Sequence, residues 1–324
     1  MRAVDTLQGT SYTERFSTDA SSSSSEEKGI RSGRLHPTAM ANRGSARLFL
    51  DTADESLWAK HLPLGMYHGV TTNPLLLQRA GVECSVASVA RLAKEALEGY
   101  GVKEFMAQAW GESTEALVKT GSALAALDAA HQDRLVVKLP LTREGIAAAK
   151  ILGQGGAATP QKNQPPGGGL GARICMTTCY NREQAFVAAA IGAEYVAPYL
   201  GRMSERPASH PDRRGISRQA LVPLVQGPPE PLGGAAAFKV APVDGVQECA
   251  AMQRIIDGMG SRTRVLVASL RSAGQLSALA EMGLDTFTFS PDIADELLCE
   301  PLTTSAAADF EAAAAAIGAM PPPL

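Results

Sequence analysis

One lysine stands in an otherwise apolar run, Leu135-Val136-Val137-Lys138-Leu139-Pro140. Burial disfavours the charged form of an amine, and attack on a carbonyl requires the neutral form. Lys138 is therefore suited to Schiff-base chemistry. Polar residues end several other short apolar runs: Asp51, Thr71 with Asn73, Gln108, Thr177, Tyr199 and Ser269. An amine surrounded by carboxyl, hydroxyl, amide and phenol groups is the equipment of proton transfer around a carbon–nitrogen intermediate.

Such residues act together only if the fold brings them to one place. From residue 47 the chain alternates short apolar or β-branched runs with alanine-rich amphipathic stretches. The runs are Arg47–Asp51, Gly69–Asn73, Phe105–Trp110, Leu135–Leu141, Arg173–Cys179, Tyr195–Leu200, Arg264–Ser269 and Thr286–Ser290. Between them lie stretches such as Ser113–His131, Arg143–Leu152, Asn181–Ile191 and Ser272–Met282. Strand and helix in strict alternation predict parallel βαβ units, and eight of them predict a closed (β/α)₈ barrel in a single domain over 47–324. No GxGxxG follows the first strand, which removes the main signal for a dinucleotide fold. Gly/Pro-rich insertions interrupt the alternation at about 153–171 and 204–237. The first falls on the stabilising face of a barrel, the second on the face where active sites assemble.

In that architecture the polar strand ends point into one mouth. Period-two alternation puts Thr71 with Asn73, Val136 with Lys138 and Ala197 with Tyr199 on common faces. Each residue alone also has a structural reading. A strand-end lysine can snorkel to solvent. Asp51 and Ser269 can cap the helices that follow, Thr71-Thr72-Asn73-Pro74 suits a capped turn, and Tyr199 can be a rim aromatic. Convergence on one face is what argues for chemistry.

Composition bounds the alternatives. With 324 residues, 45% of them apolar, the chain can bury a large core. A formal net charge of -3 gives no basic footprint for nucleic acid, and no apolar stretch reaches the ~18 residues of a membrane span. The five cysteines are scattered apart from Cys175 and Cys179, so neither a metal site nor a disulfide framework is expected. Residues 1–46 carry the serine run Ser21–Ser25 and little apolar content, and are expected to be a disordered tail. Their five acidic residues argue against a transit peptide, so a cytoplasmic location is expected, with a plastid or other organelle the alternative. Met40 is a second candidate start.

The segments Leu50-Asp51-Thr52-Ala53-Asp54, Gly69-Val70-Thr71-Thr72-Asn73-Pro74 and Val136-Val137-Lys138-Leu139-Pro140, in that order, resemble the transaldolase family. Gly192–Tyr199 and Val267-Ala268-Ser269 continue the resemblance in register. It implies that Lys138 forms the imine and that Asp51 handles the proton of the hydroxyl beside the breaking bond. Asn73 then hydrogen-bonds a donor hydroxyl, Thr71 lines the same wall, and Thr177 helps to hold the catalytic water. Arg202 and Ser269, with Arg271 a further candidate, receive the phosphate, a task for which a guanidinium fork is well shaped. No cofactor is implied, the partner is a small sugar phosphate, and a homo-oligomer built through the C-terminal helix is expected.

The family holds two activities. Transaldolases resemble one another in Glu, Asn, Ser and Phe where this chain has Gln108, Cys175, Ala197 and Tyr199; the fructose-6-phosphate aldolase branch has Gln, an apolar residue, Ala and Tyr. The chemistry agrees, because Tyr199 brings a phenol that donates and accepts, and Gln108 orients water without charge. Gly201 before Arg202 is as in transaldolases. The expectation is a class I aldolase cleaving fructose 6-phosphate to dihydroxyacetone and glyceraldehyde 3-phosphate. Transaldolase, passing the dihydroxyacetone unit to erythrose 4-phosphate, is the alternative. A catalytically silent sugar-phosphate-binding barrel is a third.

Overall fold

The computed structural model describes residues 45–131, 133–153, 171–205 and 244–319. The expected tail and both expected insertions fall almost wholly outside these ranges. Eight strands follow in chain order: β1 Arg47–Asp51, β2 Gly69–Thr71, β3 Glu104–Gln108, β4 Leu135–Pro140, β5 Arg173–Cys179, β6 Tyr195–Pro198, β7 Arg264–Val267 and β8 Thr286–Phe289. Each pairs in parallel with its sequence neighbours, and β1 pairs with β8 to close the barrel. The helices are α1 Glu55–His61, α2 Pro74–Arg79, α3 Val86–Lys94, α4 Thr114–Ala126, α5 Arg143–Gly153, α6 Arg182–Ala190, α7 Leu200–Glu205, α8 Gly245–Gly258, α9 Ala273–Glu281, α10 Pro291–Leu298 and α11 Pro301–Ala316. The chain is a (β/α)₈ barrel, as the alternation predicts.

Local chemistry explains where the strands stop. β2 ends at Thr71 because Asn73 leaves the strand to cap α2, with Pro74 in the first turn, so Asn73 does not share a strand face with Thr71. β6 ends at Pro198, two residues short of the expected Leu200, because the Leu200 amide turns to Ala268 O and α7 begins. Asp54, Ser85, Ser113, Asn181 and Asp244 cap their helices through side-chain oxygens.

The strands separate two cores. Phe49, Met106, Val136, Cys175, Tyr195, Ala197 and Leu266 fill the barrel interior. Their strand neighbours, including Leu50, Val70, Phe105, Val137, Leu139 and Val196, pack outward against the helices. Gly69 faces inward where a Cβ would lie 2.2 Å from Glu104 O and 2.7 Å from the Phe49 ring. Only glycine fits there.

Below the apolar interior, the first residues of the strands form a polar plug. Glu104 accepts from Arg47 Nη1 at 2.9 Å, Arg173 Nη2 at 2.8 Å and the Tyr195 hydroxyl at 2.7 Å, with His68 Nε2 at 3.2 Å. Burial pushes the Glu104 carboxyl up, but His68, the charge and hydrogen bond of Arg173, and Tyr195 outweigh it and hold it at about 2. Arg173 also pairs with Glu194, and Arg264 with Asp285 and the Thr286 hydroxyl. Because these charges are paired, burying them is tolerated. α11 lies outside the barrel, exposed along its length, with Leu302 and Phe310 turned to solvent. Among the described residues no helix is long and apolar enough to cross a membrane.

Candidate active site

The opposite, carboxyl end of the strands carries the candidate residues. Gln108 ends β3 in register with Lys138 of β4, so both side chains point into the mouth. Lys138 is 3% exposed and has no ion-pair partner among the described residues. A side chain so enclosed does not snorkel to bulk solvent. Cys175, its partner in β5, is fully enclosed. Burial drives its thiol up to about 12, even with Lys138 nearby pulling it down, so it serves as packing rather than as a nucleophile.

Asp51 ends β1 in register with Thr71 of β2. The helix-cap alternative for Asp51 is excluded by Asp54, whose Oδ1 accepts from Ser56 N at 2.9 Å and from Ser56 Oγ at 2.6 Å. Asp51 instead accepts a hydrogen bond from Thr71 Oγ1 at 2.6 Å. Thr71 is fully buried, and its hydroxyl also lies 2.5 Å from that of Thr288 on β8. Asn73 accepts from the Leu75 and Leu76 amides at 3.0 and 3.1 Å. The cap uses its oxygen and leaves its two N–H donors for another partner.

On the far wall, β5 bulges between Met176 and Cys179, and Thr178 takes a left-handed φ of 60°. The buried Thr177 hydroxyl donates to the Tyr199 hydroxyl at 3.3 Å. Tyr180 packs edge-on against the Tyr199 ring at 5.7 Å, and the Arg202 guanidinium sits over it at 5.1 Å. Tyr199 is thus held on both sides rather than loose on the rim.

Arg202 is exposed on α7 and approaches Tyr199. Arg271 is the one that meets Ser269, donating from Nη1 to Ser269 Oγ at 3.0 Å. Ser269 has a left-handed φ of 60° and does not occupy the cap position of α9, which is Ser272. Arg271 is also paired with Glu205 at the end of α7, at 2.6 and 3.2 Å. The Glu205 hydrogen bond raises the Arg271 pKa, and Arg271 in turn lowers that of Glu205. Gly201 makes this arrangement sterically possible: a Cβ there would lie 2.4 Å from Ser269 O and 2.8 Å from Arg271 Cζ.

The geometry therefore yields an enclosed lysine beside an amide, a carboxylate on a hydroxyl chain, a phenol against a threonine, and a serine–arginine pair at the rim. The residues Thr288, Tyr180 and Glu205 belong to this constellation and were invisible to strand-end reasoning. The alternation Thr286-Phe287-Thr288-Phe289, with threonine on every inward position, was the available signal for Thr288.

The family profile described as Transaldolase/Fructose-6-phosphate aldolase matches residues 48–320. The chain belongs to the transaldolase/fructose-6-phosphate aldolase family. It is 26% identical over 264 residues to a protein called probable transaldolase from Roseobacter denitrificans, covering 82% of this chain and 94% of that one. It is 28% identical over 257 residues to another protein of that name from Maricaulis maris, covering 79% of this chain and 91% of the relative. Among solved structures, a thiamine phosphate pyrophosphorylase from Pyrococcus furiosus overlays with a TM-score of 0.41 and 14% identity, over 76% of this chain and 87% of that one, a likeness too loose to bear on function. As a member of the transaldolase/fructose-6-phosphate aldolase family, the protein is an enzyme of the transaldolase/aldolase type.

Proposed function

We propose that this enzyme is a Schiff-base lyase that cleaves fructose 6-phosphate to dihydroxyacetone and glyceraldehyde 3-phosphate. The Lys138 amine adds to the ketose carbonyl and water leaves, giving the imine. Asp51 takes the proton of the C4 hydroxyl as the C3–C4 bond breaks, its electron pair moving into the imine to give an enamine. Glyceraldehyde 3-phosphate departs, the enamine is protonated at C3, and water releases dihydroxyacetone. Asn73 holds a donor hydroxyl, Thr71 lines that wall, and Ser269 with Arg202 and Arg271 takes the phosphate.

The observation that carries this reading is the Thr177–Tyr199 contact at 3.3 Å. On this reading the Tyr199 hydroxyl is the proton donor and acceptor that activates the water freeing the bound fragment, and Gln108, paired in register with Lys138, orients that water. A transaldolase delays this hydrolysis until an aldehyde acceptor arrives. The name probable transaldolase on the relatives favours that second reading. Turnover of fructose 6-phosphate with and without erythrose 4-phosphate separates the two. Release of dihydroxyacetone without acceptor supports the lyase, and turnover only with acceptor rules it out. The exposed Leu302 and Phe310 of α11 fit the homo-oligomer expected for such an enzyme, which sedimentation equilibrium measures directly.

A further inference from the structure

Thr288 is 1% exposed, and its hydroxyl has one partner among the described residues, Thr71 Oγ1 at 2.5 Å. Thr71 is in turn 2.6 Å from Asp51 Oδ1. A hydroxyl carries a single hydrogen. When Asp51 is ionised, Thr71 donates that hydrogen to the carboxylate, so the hydrogen between the threonines comes from Thr288. The chain then runs Thr288 to Thr71 to Asp51. When Asp51 carries a proton, its O–H donates to Thr71 and Thr71 donates to Thr288, which requires only that two hydroxyls rotate. No heavy atom moves.

We propose that Thr288 is a positioning residue for Asp51, acting through Thr71 so that the carboxyl keeps its orientation in both protonation states. The proposal rests on Asp51 being the proton carrier of the reaction. Valine has nearly the shape of threonine and fills the same buried position, so the hydroxyl is not required by packing. A buried hydroxyl is retained without cost only where it is hydrogen-bonded, and here the bond leads to Asp51.

The test compares Thr288→Val with Thr288→Ser. Valine removes the hydroxyl and serine restores it. Asp51 acts when the carbon–carbon bond breaks, after the imine has formed. Thr288→Val is therefore expected to lower kcat by about tenfold, the scale of one ordinary buried hydrogen bond, with KM unchanged. Borohydride trapping with fructose 6-phosphate should still label Lys138, with the mass of the adduct shifting from the three-carbon fragment toward the intact sugar phosphate. Thr288→Ser should recover both the rate and the adduct pattern. Because the groups act in series, Thr71→Val with Thr288→Val should be no slower than Thr71→Val alone.

Full kcat in Thr288→Val, equal losses in the valine and serine variants, or multiplied losses in the double variant each overturn the proposal. If the valine variant does not fold, Thr288→Ala takes its place in the same comparison. Asp51→Asn is measured alongside. A parental rate in Asp51→Asn refutes the role of Asp51 itself, whereas loss there with none in Thr288→Val refutes only the hydroxyl chain.

Discussion

Gln108 and Lys138 stand opposite one another across the β3–β4 pairing, the last residue of one strand against the fourth of the next. An uncharged amide stands beside the enclosed amine, and among the described residues Lys138 has no ion-pair partner, which suits a nucleophile better than an ion pair does.

Lys138→Met keeps length and removes the amine. It is expected to abolish turnover and borohydride-dependent mass addition while the barrel stays folded, as judged by circular dichroism. Its melting temperature should equal or exceed the parent's, since a buried amine without an ion-pair partner is lost. Mass addition that persists in this variant excludes Lys138 as the imine-forming residue.

Tyr199→Phe keeps the ring between Tyr180 and Arg202 and removes the hydroxyl that Thr177 reaches. Hydrolytic release of dihydroxyacetone should fall by about 10² to 10⁴, the usual size of general acid–base catalysis. Transfer to added erythrose 4-phosphate should fall less, so the ratio of activities moves toward transfer. A protein that already transfers faster than it cleaves, with a ratio indifferent to Tyr199→Phe, is a transaldolase.

Arg271→Ala and Arg202→Ala each remove a rim guanidinium. Both should raise KM for fructose 6-phosphate by about ten- to a hundredfold, the scale of a charge-assisted contact, with little change for non-phosphorylated dihydroxyacetone as donor. Glu205→Gln, which frees Arg271 from its carboxylate, should lower KM for the phosphorylated substrate. Equal changes for both substrates mean that these arginines only hold α7 against the β7–α9 loop.

The plug makes a prediction about acid. The Glu104 carboxyl is held near 2 in the fold against an ordinary value of 4.5, so the unfolded chain takes up its proton first. Its stabilising contribution is complete above about pH 4.5 and is lost as pH falls toward 2, a change on the order of 3 kcal/mol. Urea unfolding from pH 6 down to 2.5 should show a shallower decline for Glu104→Gln than for the parent. The variant should also be less stable at pH 6, where Arg47 and Arg173 lose their shared partner. Parallel curves for the two proteins count against this role.

Much of the barrel was legible because parallel strands buried on both faces read as continuous apolar runs, and Arg47–Asp51 and Arg173–Cys179 match their strands end to end. Where the chain leaves a strand for a helix the sequence is ambiguous. Asn73 looks like a strand residue until Pro74 and the Leu75 and Leu76 amides recruit it as a cap. At the site, Lys138, Gln108 and Asp51 were readable because each ends or interrupts an apolar run. Thr288 was not, since a threonine inside Thr286–Phe289 is an ordinary β-former until its neighbour across the barrel is known. The Arg271–Glu205 pair joins residues 66 positions apart, and no local pattern announces it.

The polar plug has an implication for traffic. With its amino end stoppered by Glu104 and its arginines, and its middle filled by Phe49, Met106 and Leu266, the barrel offers no passage through that end among the described residues. On the proposed chemistry, departing aldehyde, incoming acceptor and hydrolytic water all use the carboxyl end of the strands, where Asp51 and Tyr199 lie. They must take turns. The choice between lyase and transferase then becomes a matter of queueing at one threshold, so a change at the rim alters the product without touching Lys138.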